Sequence, residues 1–298
     1  MWLSGVLKKY KPIKKKSGLR FTRSRAGKFF IFLFLLFAGL FSMLPLIYCI
    51  VTSFKPIDEL MIFPPRFFVK RPTVVNFVAL PDLLSNLDIP LARYVINSLG
   101  VSIISTVIYI VFSAMAAFSL SKSSLKCKNF LFWVIQIALM FNSYTLAVPQ
   151  YLIFAKTGMI DTYWVYILPY LATTLGVFLV KQYMEGYVAD AFIEAARIDG
   201  ASYYRIFWTI VMPLIKPALL TLALFSFRDT WAMAPNGTIF SEELKTLPQI
   251  VGQITAGGIA RAGSAMAITT IMMIPPIAVY LISQSSVVEA MSSAGIKE

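Results

Sequence analysis

The feature that most constrains this chain is a series of long apolar runs. Several are ~20 residues or longer, enough to cross a hydrocarbon core of ~30 Å at ~1.5 Å per residue. Charged residues are only 14% of the chain, against ~25% in an average soluble domain. The pattern predicts an all-α, polytopic membrane protein. Six transmembrane helices are predicted over the ranges 29–52, 94–120, 130–154, 163–183, 213–231 and 265–288.

The placement of charge predicts the orientation of these helices. The net charge of +13 comes largely from a tail, residues 1–28, that carries Lys and Arg but no acid. The short loop 121–129 is also basic, whereas the loops predicted to lie outside mix both signs. This is the positive-inside pattern, which predicts that both termini lie in the cytoplasm. The tail is read as a topology signal in contact with anionic lipid, or as the site of a specific partner, and not as a nucleic-acid-binding arm.

The composition excludes several chemistries. The chain has no His, so no Cys/His metal cluster is expected. No predicted span has a carboxylate at its centre, which disfavours a proton-driven carrier but leaves sodium coupling open. No nucleophile has a base to activate it, and no phosphate-binding Gly-rich loop occurs. We therefore expect no catalytic residues and no cofactor bound by this chain.

Uncharged polar residues occur inside the predicted spans. Ser and Thr at near-helical spacing are typical of packing contacts between membrane helices. Gln136, Asn142 and Gln150 are bulkier and costlier to leave unpaired in lipid, so they are candidates for lining an aqueous path. Such a path, together with the aromatic residues, suits a neutral polyhydroxylated solute, although the aromatic residues equally suit interfacial belts.

A polar segment, residues 184–212, separates the fourth and fifth predicted spans. Glu194-Ala195-Ala196-Arg197 favours a helix, and Asp199-Gly200 indicates a turn. The pattern predicts two short helices joined at Gly200, with Pro213 opening the next span. On a helical wheel one side collects Ala195, Ala196, Tyr203, Ile206, Phe207 and Ile210, and another collects Glu194, Arg197 and Arg205. Amphipathicity alone leaves two options, a helix on the membrane surface or one docked in another protein.

The same segment carries a recognisable spacing. Glu-Ala-Ala, three residues, Gly, nine residues and Ile-x-Leu-Pro is matched at Glu194, Ala195, Ala196, Gly200, Ile210 and Pro213, with Met212 replacing Leu. The chain thereby resembles the permeases of ABC importers, in particular the smaller inner-membrane subunit of maltose-type carbohydrate transporters. The likeness extends over most of the chain, but the Trp-Asn often found in the family is Trp231-Ala232 here, and the C-terminal tail differs.

The resemblance implies a type I importer fold in a bacterial-type plasma membrane. It also implies a separate ATPase dimer that binds ATP and Mg²⁺, a second homologous permease and an extracytoplasmic solute-binding protein. It implies that the residues of segment 184–212 pass ATPase closure to the spans. Glu194 would pair with a basic ATPase residue, Ala195 and Ala196 would allow close approach, and Gly200 would permit the corner. The expected coupling residues are Glu194, Ala195, Ala196, Asp199, Gly200, Tyr203 and Phe207, and Trp231 joins the candidates for the substrate path. The alternatives are an ABC permease for another neutral solute, a stand-alone secondary carrier, or a membrane scaffold or enzyme.

Overall fold

The computed structural model describes residues 25–85, 89–123, 125–141, 143–171, 174–235 and 237–294. The regular structure of these residues is helical, and none of them lies in a strand. The α-helices are α1 Arg25–Ser53, α2 Ile57–Leu60, α3 Val75–Ser85, α4 Leu91–Lys122, α5 Lys128–Ala138, α6 Ser143–Thr157, α7 Trp164–Leu171, α8 Thr174–Tyr187, α9 Asp190–Ile198, α10 Tyr203–Ile206, α11 Met212–Leu214, α12 Lys216–Trp231, α13 Leu247–Thr255 and α14 Ala262–Ala294. A π-helical stretch, Phe207–Val211, joins α10 to α11.

Four described helical segments are long and apolar enough to cross a membrane: Ala26–Ser53, Leu91–Lys122, Trp164–Tyr187 and Ile259–Ser285. A fifth span results if Tyr203–Leu214 and Lys216–Trp231, which are bent by 79° at their junction, are counted together. The chain is thus a mainly helical, multi-pass membrane protein, as the apolar runs predict. The predicted basic tail lies outside the described residues except for its last four, 25–28, which begin α1.

The predicted third span, 130–154, corresponds to two shorter helices, α5 and α6. At the end of α5 the hydrogen bonds tighten, because Met140 N donates to Ile137 O and Phe141 N to Ala138 O. Such three-residue bonds close a turn and interrupt the α-helical pattern. The apolar run is continuous in sequence, but the helix is not continuous over the residues described.

The chain divides into two compact units, residues 1–47 and residues 48–298. In the larger unit α4 is central, and it packs against α7, α8 and α12. Small polar side chains of α4 let its neighbours approach closely. Gly176 on α8 lies so near Tyr109 and Ser113 that a Cβ there would be 2.5 Å from their side-chain atoms. The Ser and Thr residues buried along α4 are Ser98, Ser102, Ser105, Thr106 and Ser113, and this burial supports a packing role.

Candidate functional site

The segment between α8 and α12 folds as an elbow, which we define as residues 188–214. The helix α9 ends in a left-handed cap, because Gly200 has φ +80°, Gly200 N donates to Arg197 O at 3.0 Å, and Ala201 N donates to Ala196 O at 2.9 Å. This is the arrangement that glycine favours at a helix end. The next helix starts at once, since the Ser202 hydroxyl accepts a bond from Arg205 N. The two helices joined at Gly200 are therefore found where the sequence predicts them.

The elbow has a buried side and a free side. Four residues of the elbow are buried in one cluster with the C-terminal halves of α4 and α8 and the first half of α12: Ile193, Ala196, Ile206 and Phe207. Ala195 is exposed, so the helical wheel was wrong to group it with Ala196, and Ile193 takes that place on the buried side. Ala195 and Ala196 are neighbours on the same helix and point about 100° apart around its axis. Ala196 lies on the buried face of α9, and Ala195 does not.

The free side is partly apolar. Ile198 is 86% exposed, Tyr204 is 75% exposed and Phe192 is 53% exposed. The acidic residues Glu194 and Asp199 are exposed with them. Among the described residues, Glu194 has no ion-pair partner. Exposed apolar side chains with polar residues around them are typical of a surface that another protein or a membrane covers.

The last turns of α4 hold the inner side of the elbow. The Lys122 ammonium donates to Val188 O at 2.6 Å and to Asp190 Oδ1 at 2.7 Å, and its side chain is only 6% exposed. One turn earlier, the Phe118 ring lies 5.5 Å from the Phe207 ring. Each half of the elbow thus has its own contact with α4.

Beyond the corner, the second half of the elbow runs into α12 through a sharp bend. Phe207–Val211 is π-helical, and Ile215, which is fully buried, separates α11 from α12. Pro213 and Pro217 flank the bend of 79°. Proline lacks an N–H donor, so helix hydrogen bonding fails around these positions and the axis turns. The predicted kink is present, and α12 begins at Lys216 instead of Pro213.

The other end of α4 contacts a second segment, residues 232–235 and 237–257. We call it the outer segment because the predicted topology puts it outside. The Asn97 amide donates to Glu243 O at 2.7 Å and to Lys245 O at 3.0 Å. The Ser98 hydroxyl accepts from Leu247 N at 2.8 Å. Asn97 and Lys122 are separated by about 37 Å along the helix axis at ~1.5 Å per residue. The elbow and the outer segment therefore lie at opposite ends of α4.

Asp161, in the loop before α7, also fixes the position of the outer segment through hydrogen bonds. Its backbone has φ +60°, and its carboxylate accepts bonds from Phe240 N and Ser241 N at 2.9 Å and from the Ser241 hydroxyl. These bonds, the Ser241 hydroxyl first, hold the pKa of Asp161 below its ordinary value. A carboxylate with three donors on one partner loop fixes the position of that loop.

The predicted path residues do not form one group in the described structure. Gln136 is exposed on α5, Gln150 is half-buried on α6, and Asn142 lies outside the described residues. Trp231 is buried; its indole N–H donates to Met272 O at 3.0 Å and its ring stacks on Phe227. Trp231, the last residue of α12, thus packs against α14 in this conformation. The path role of these residues stays a prediction, as does the coupling role of the elbow residues.

Sequence reasoning missed Lys122 and Asp190 as a pair. The sequence analysis includes Lys122 only as part of the basic loop 121–129 and assigns no role to Asp190. A basic residue at the end of a long helix and an acid at the start of a short one are a weak signal, because they are 68 positions apart in the chain. Ile198 was missed as well, although it is apolar and next to the turn.

Comparison with known proteins agrees with this architecture. The family model for the binding-protein-dependent transport system inner membrane component matches residues 109–293, more than half of the chain. The chain is 29% identical over 279 residues to the arabinooligosaccharides transport system permease protein AraQ of Halalkalibacterium halodurans, covering 89% of this chain and 94% of that protein. It is 28% identical over 268 residues to the sulfoquinovosyl glycerol transport system permease protein SmoH of Agrobacterium fabrum, covering 88% and 90%.

A solved structure of a bacterial ABC transporter involved in the import of the acidic polysaccharide alginate has a chain of the same fold. The TM-score is 0.72, with 22% sequence identity over 88% of this chain and 98% of that chain. The match to the family model includes the whole elbow and its contacts with the end of α4. The chain therefore belongs to the family of inner membrane components of binding-protein-dependent transport systems, and it is a transport subunit of ABC permease type and not an enzyme.

Proposed function

We propose that this chain is the permease subunit of an ATP-driven importer for a sugar or oligosaccharide, and that the elbow couples ATPase closure to alternating access. The observation that carries the proposal is the elbow itself. Its inner side is fastened to α4, while its free side presents Glu194, Ile198 and Tyr204 without cover. A segment that transmits movement between two proteins needs one side attached to its own chain and another side accessible to the partner.

The partners follow from the family and from the geometry. ATP and Mg²⁺ would bind to a separate ATPase dimer that receives the free side of the elbow, since this chain has no phosphate-binding loop. A second homologous permease would complete the translocation path, and an extracytoplasmic binding protein would deliver the solute. The family description supports the binding protein directly.

The proposed orientation places the elbow in the cytoplasm. The contact of Lys122 with Asp190 brings the basic loop 121–129 to the same end of α4 as the elbow. Basic loops of membrane proteins face the cytoplasm. With α5 and α6 together as one further span, the chain would have six spans and both termini in the cytoplasm.

The sugar class is supported by the relatives, because AraQ transports arabinooligosaccharides and SmoH transports sulfoquinovosyl glycerol, as their names state. An ABC permease for another neutral solute is the alternative. A stand-alone carrier would move solute without an ATPase, so dependence on that subunit separates the two classes.

The test uses the assembled importer in nanodiscs, with Glu194→Ala and with Gly200→Val. Both variants should insert normally but lose most of the ATPase stimulation caused by the loaded binding protein. Glu194→Ala removes one partner of the proposed charge pair with the ATPase, and the loss of such a partner in a buried pair costs about 2–5 kcal/mol. Gly200→Val places a side chain where φ is +80°, which distorts the corner. Glu243→Ala, an exposed acid at the opposite end of α4, should leave the stimulation unchanged. Normal stimulation in both elbow variants would refute the coupling role.

A further inference from the structure

A loop of residues 54–73 follows α1 and is held in a fixed shape. Its two ends are joined, because Thr73 N donates to Phe54 O at 2.9 Å. Inside it, the buried Glu59 carboxylate accepts from Lys70 N at 3.0 Å. We call these residues the closed loop. Because both its ends and its interior are bonded, the exposed side chains of the closed loop have defined positions.

The part of the closed loop around Phe67 lies beside the last turns of α1. The Phe67 ring is 5.6 Å from the Tyr48 ring. The Lys55 ammonium lies 5.0 Å from the centre of the same Tyr48 ring and donates to Arg66 O. Tyr48 precedes Ser53, the end of α1, by about 7.5 Å along the axis at ~1.5 Å per residue. Since α1 is a candidate span, the closed loop here lies level with the boundary of the hydrocarbon and not above it.

Next to this contact the closed loop exposes a large aromatic side chain. Phe68 is 72% exposed, although its ring meets the Phe67 ring edge-on with the ring centres 5.1 Å apart. Moving an exposed aromatic ring out of water into an apolar medium is favourable. At the depth of Tyr48, the medium around the spans is lipid, so Phe68 is placed to meet it.

Basic side chains flank the exposed ring. Arg66 and Lys70 come shortly before and shortly after Phe68 in the chain, and both are exposed. Neither side chain has an ion-pair partner among the described residues. In the closed loop Lys and Arg outnumber Asp and Glu by four to two. Anionic phospholipids attract such cations to a membrane surface.

A protein partner fits this surface less well than lipid does. Lys is depleted at the centre of protein interfaces. A water-soluble protein would also meet the lipid headgroups before it reached the depth of Tyr48. An aromatic ring between two cations, at the boundary of the hydrocarbon, is instead the composition of a segment that lies in the membrane interface.

We infer that the closed loop is an interfacial membrane anchor, in which Phe68 inserts at the boundary of the hydrocarbon and Arg66 and Lys70 bind the phosphate groups of anionic phospholipids. Its fixed shape means that the loop inserts without first becoming ordered. The anchor keeps the end of α1 at the lipid surface whichever solute is carried. The inference therefore goes beyond the proposed function and does not depend on it.

The experiment uses the assembled importer in nanodiscs, with all its cysteines, Cys49 and Cys127 included, replaced by Ser. The environment-sensitive fluorophore NBD is attached to Phe68→Cys or, as the control, to Asp58→Cys, an exposed acid of the same loop. The discs contain phosphatidylglycerol and a phosphatidylcholine brominated near the top of its acyl chains. This lipid should quench the Phe68→Cys label severalfold more than the Asp58→Cys label.

A second measurement tests the charges. Arg66→Gln together with Lys70→Gln should lower the quenching of the Phe68→Cys label in discs that contain phosphatidylglycerol and leave it unchanged in discs of phosphatidylcholine alone. Equal quenching at both labelled positions, no quenching at Phe68→Cys, or no effect of the double substitution would overturn the inference. Shielding of the Phe68→Cys label from iodide only after binding protein is added would also overturn it, because that result shows a protein-docking surface.

Discussion

The attachment of the elbow to α4 through Lys122 can be tested by replacing that residue with methionine, which keeps the length of the side chain and removes the charge. The bond to Val188 O is made by a charged donor whose side chain is 6% exposed, and such a bond contributes about 1.5–3 kcal/mol. The Asp190 side chain is 76% exposed, so the ion pair itself contributes only about 0–1 kcal/mol. Lys122→Met should therefore weaken the attachment by about 2–3 kcal/mol.

The assay is hydrogen exchange of the elbow amides in the nucleotide-free importer, because local opening exposes them. At ~1.4 kcal/mol per tenfold change, Lys122→Met should accelerate exchange roughly 30- to 140-fold around Asp199 and Gly200. Asp190→Asn should change it by about fivefold at most. Lys126→Met, an exposed lysine of the same loop, is the matched control. Acceleration by Asp190→Asn equal to that by Lys122→Met, or no acceleration by Lys122→Met, would refute the reasoning.

Two further predictions concern packing and pH. Gly176→Ala should lower the thermal unfolding temperature, since its Cβ would be 2.5 Å from Ser113 Oγ and Tyr109 and overpacking costs about 1–3 kcal/mol; Gly186→Ala, whose Cβ meets nothing within 4 Å, is the control, and equal effects of the two would contradict the prediction. Because the pKa of Asp161 is lowered in the folded chain, its stabilising contribution is complete above the ordinary value of 3.8 and is lost as pH falls through the lower folded value. The difference in thermal stability between wild type and Asp161→Asn should therefore shrink only below pH 3.8, and a difference independent of pH would contradict this.

Much of the membrane architecture was predictable because burial in lipid leaves a local signature. An apolar run of sufficient length predicts a span correctly where one continuous helix covers the whole run, as in α4 and α14. The run over 130–154 shows the limit of this rule, since hydropathy does not register the turn at residues 139–141 that ends α5. Pro213 and Pro217 predicted a kink, but not its angle of 79°.

The elbow was predictable to the same extent. Gly200 marks the corner because only a residue without a Cβ adopts φ +80° without strain, and Ser202 marks the next helix start. Which residues face inward was less predictable. Adjacent residues on a helix point about 100° apart, and tertiary packing decided that Ala196 and not Ala195 is buried. No local sequence pattern predicts that the Gln249 amide oxygen accepts a hydrogen bond from the Tyr166 hydroxyl, because Tyr166 lies on a different helix.

The amino-acid order by itself determined the membrane class, the helical content and the position of the corner at Gly200, because those depend on hydropathy, on helix caps and on backbone freedom within a few residues. Only the tertiary structure decided which residues contact the elbow and which contact the outer segment. Lys122 meets Asp190, and Asn97 meets the outer segment, across distances in sequence that only the packing of α4 brings together. Such contacts depend on the arrangement of whole helices, so no short stretch of sequence contains them.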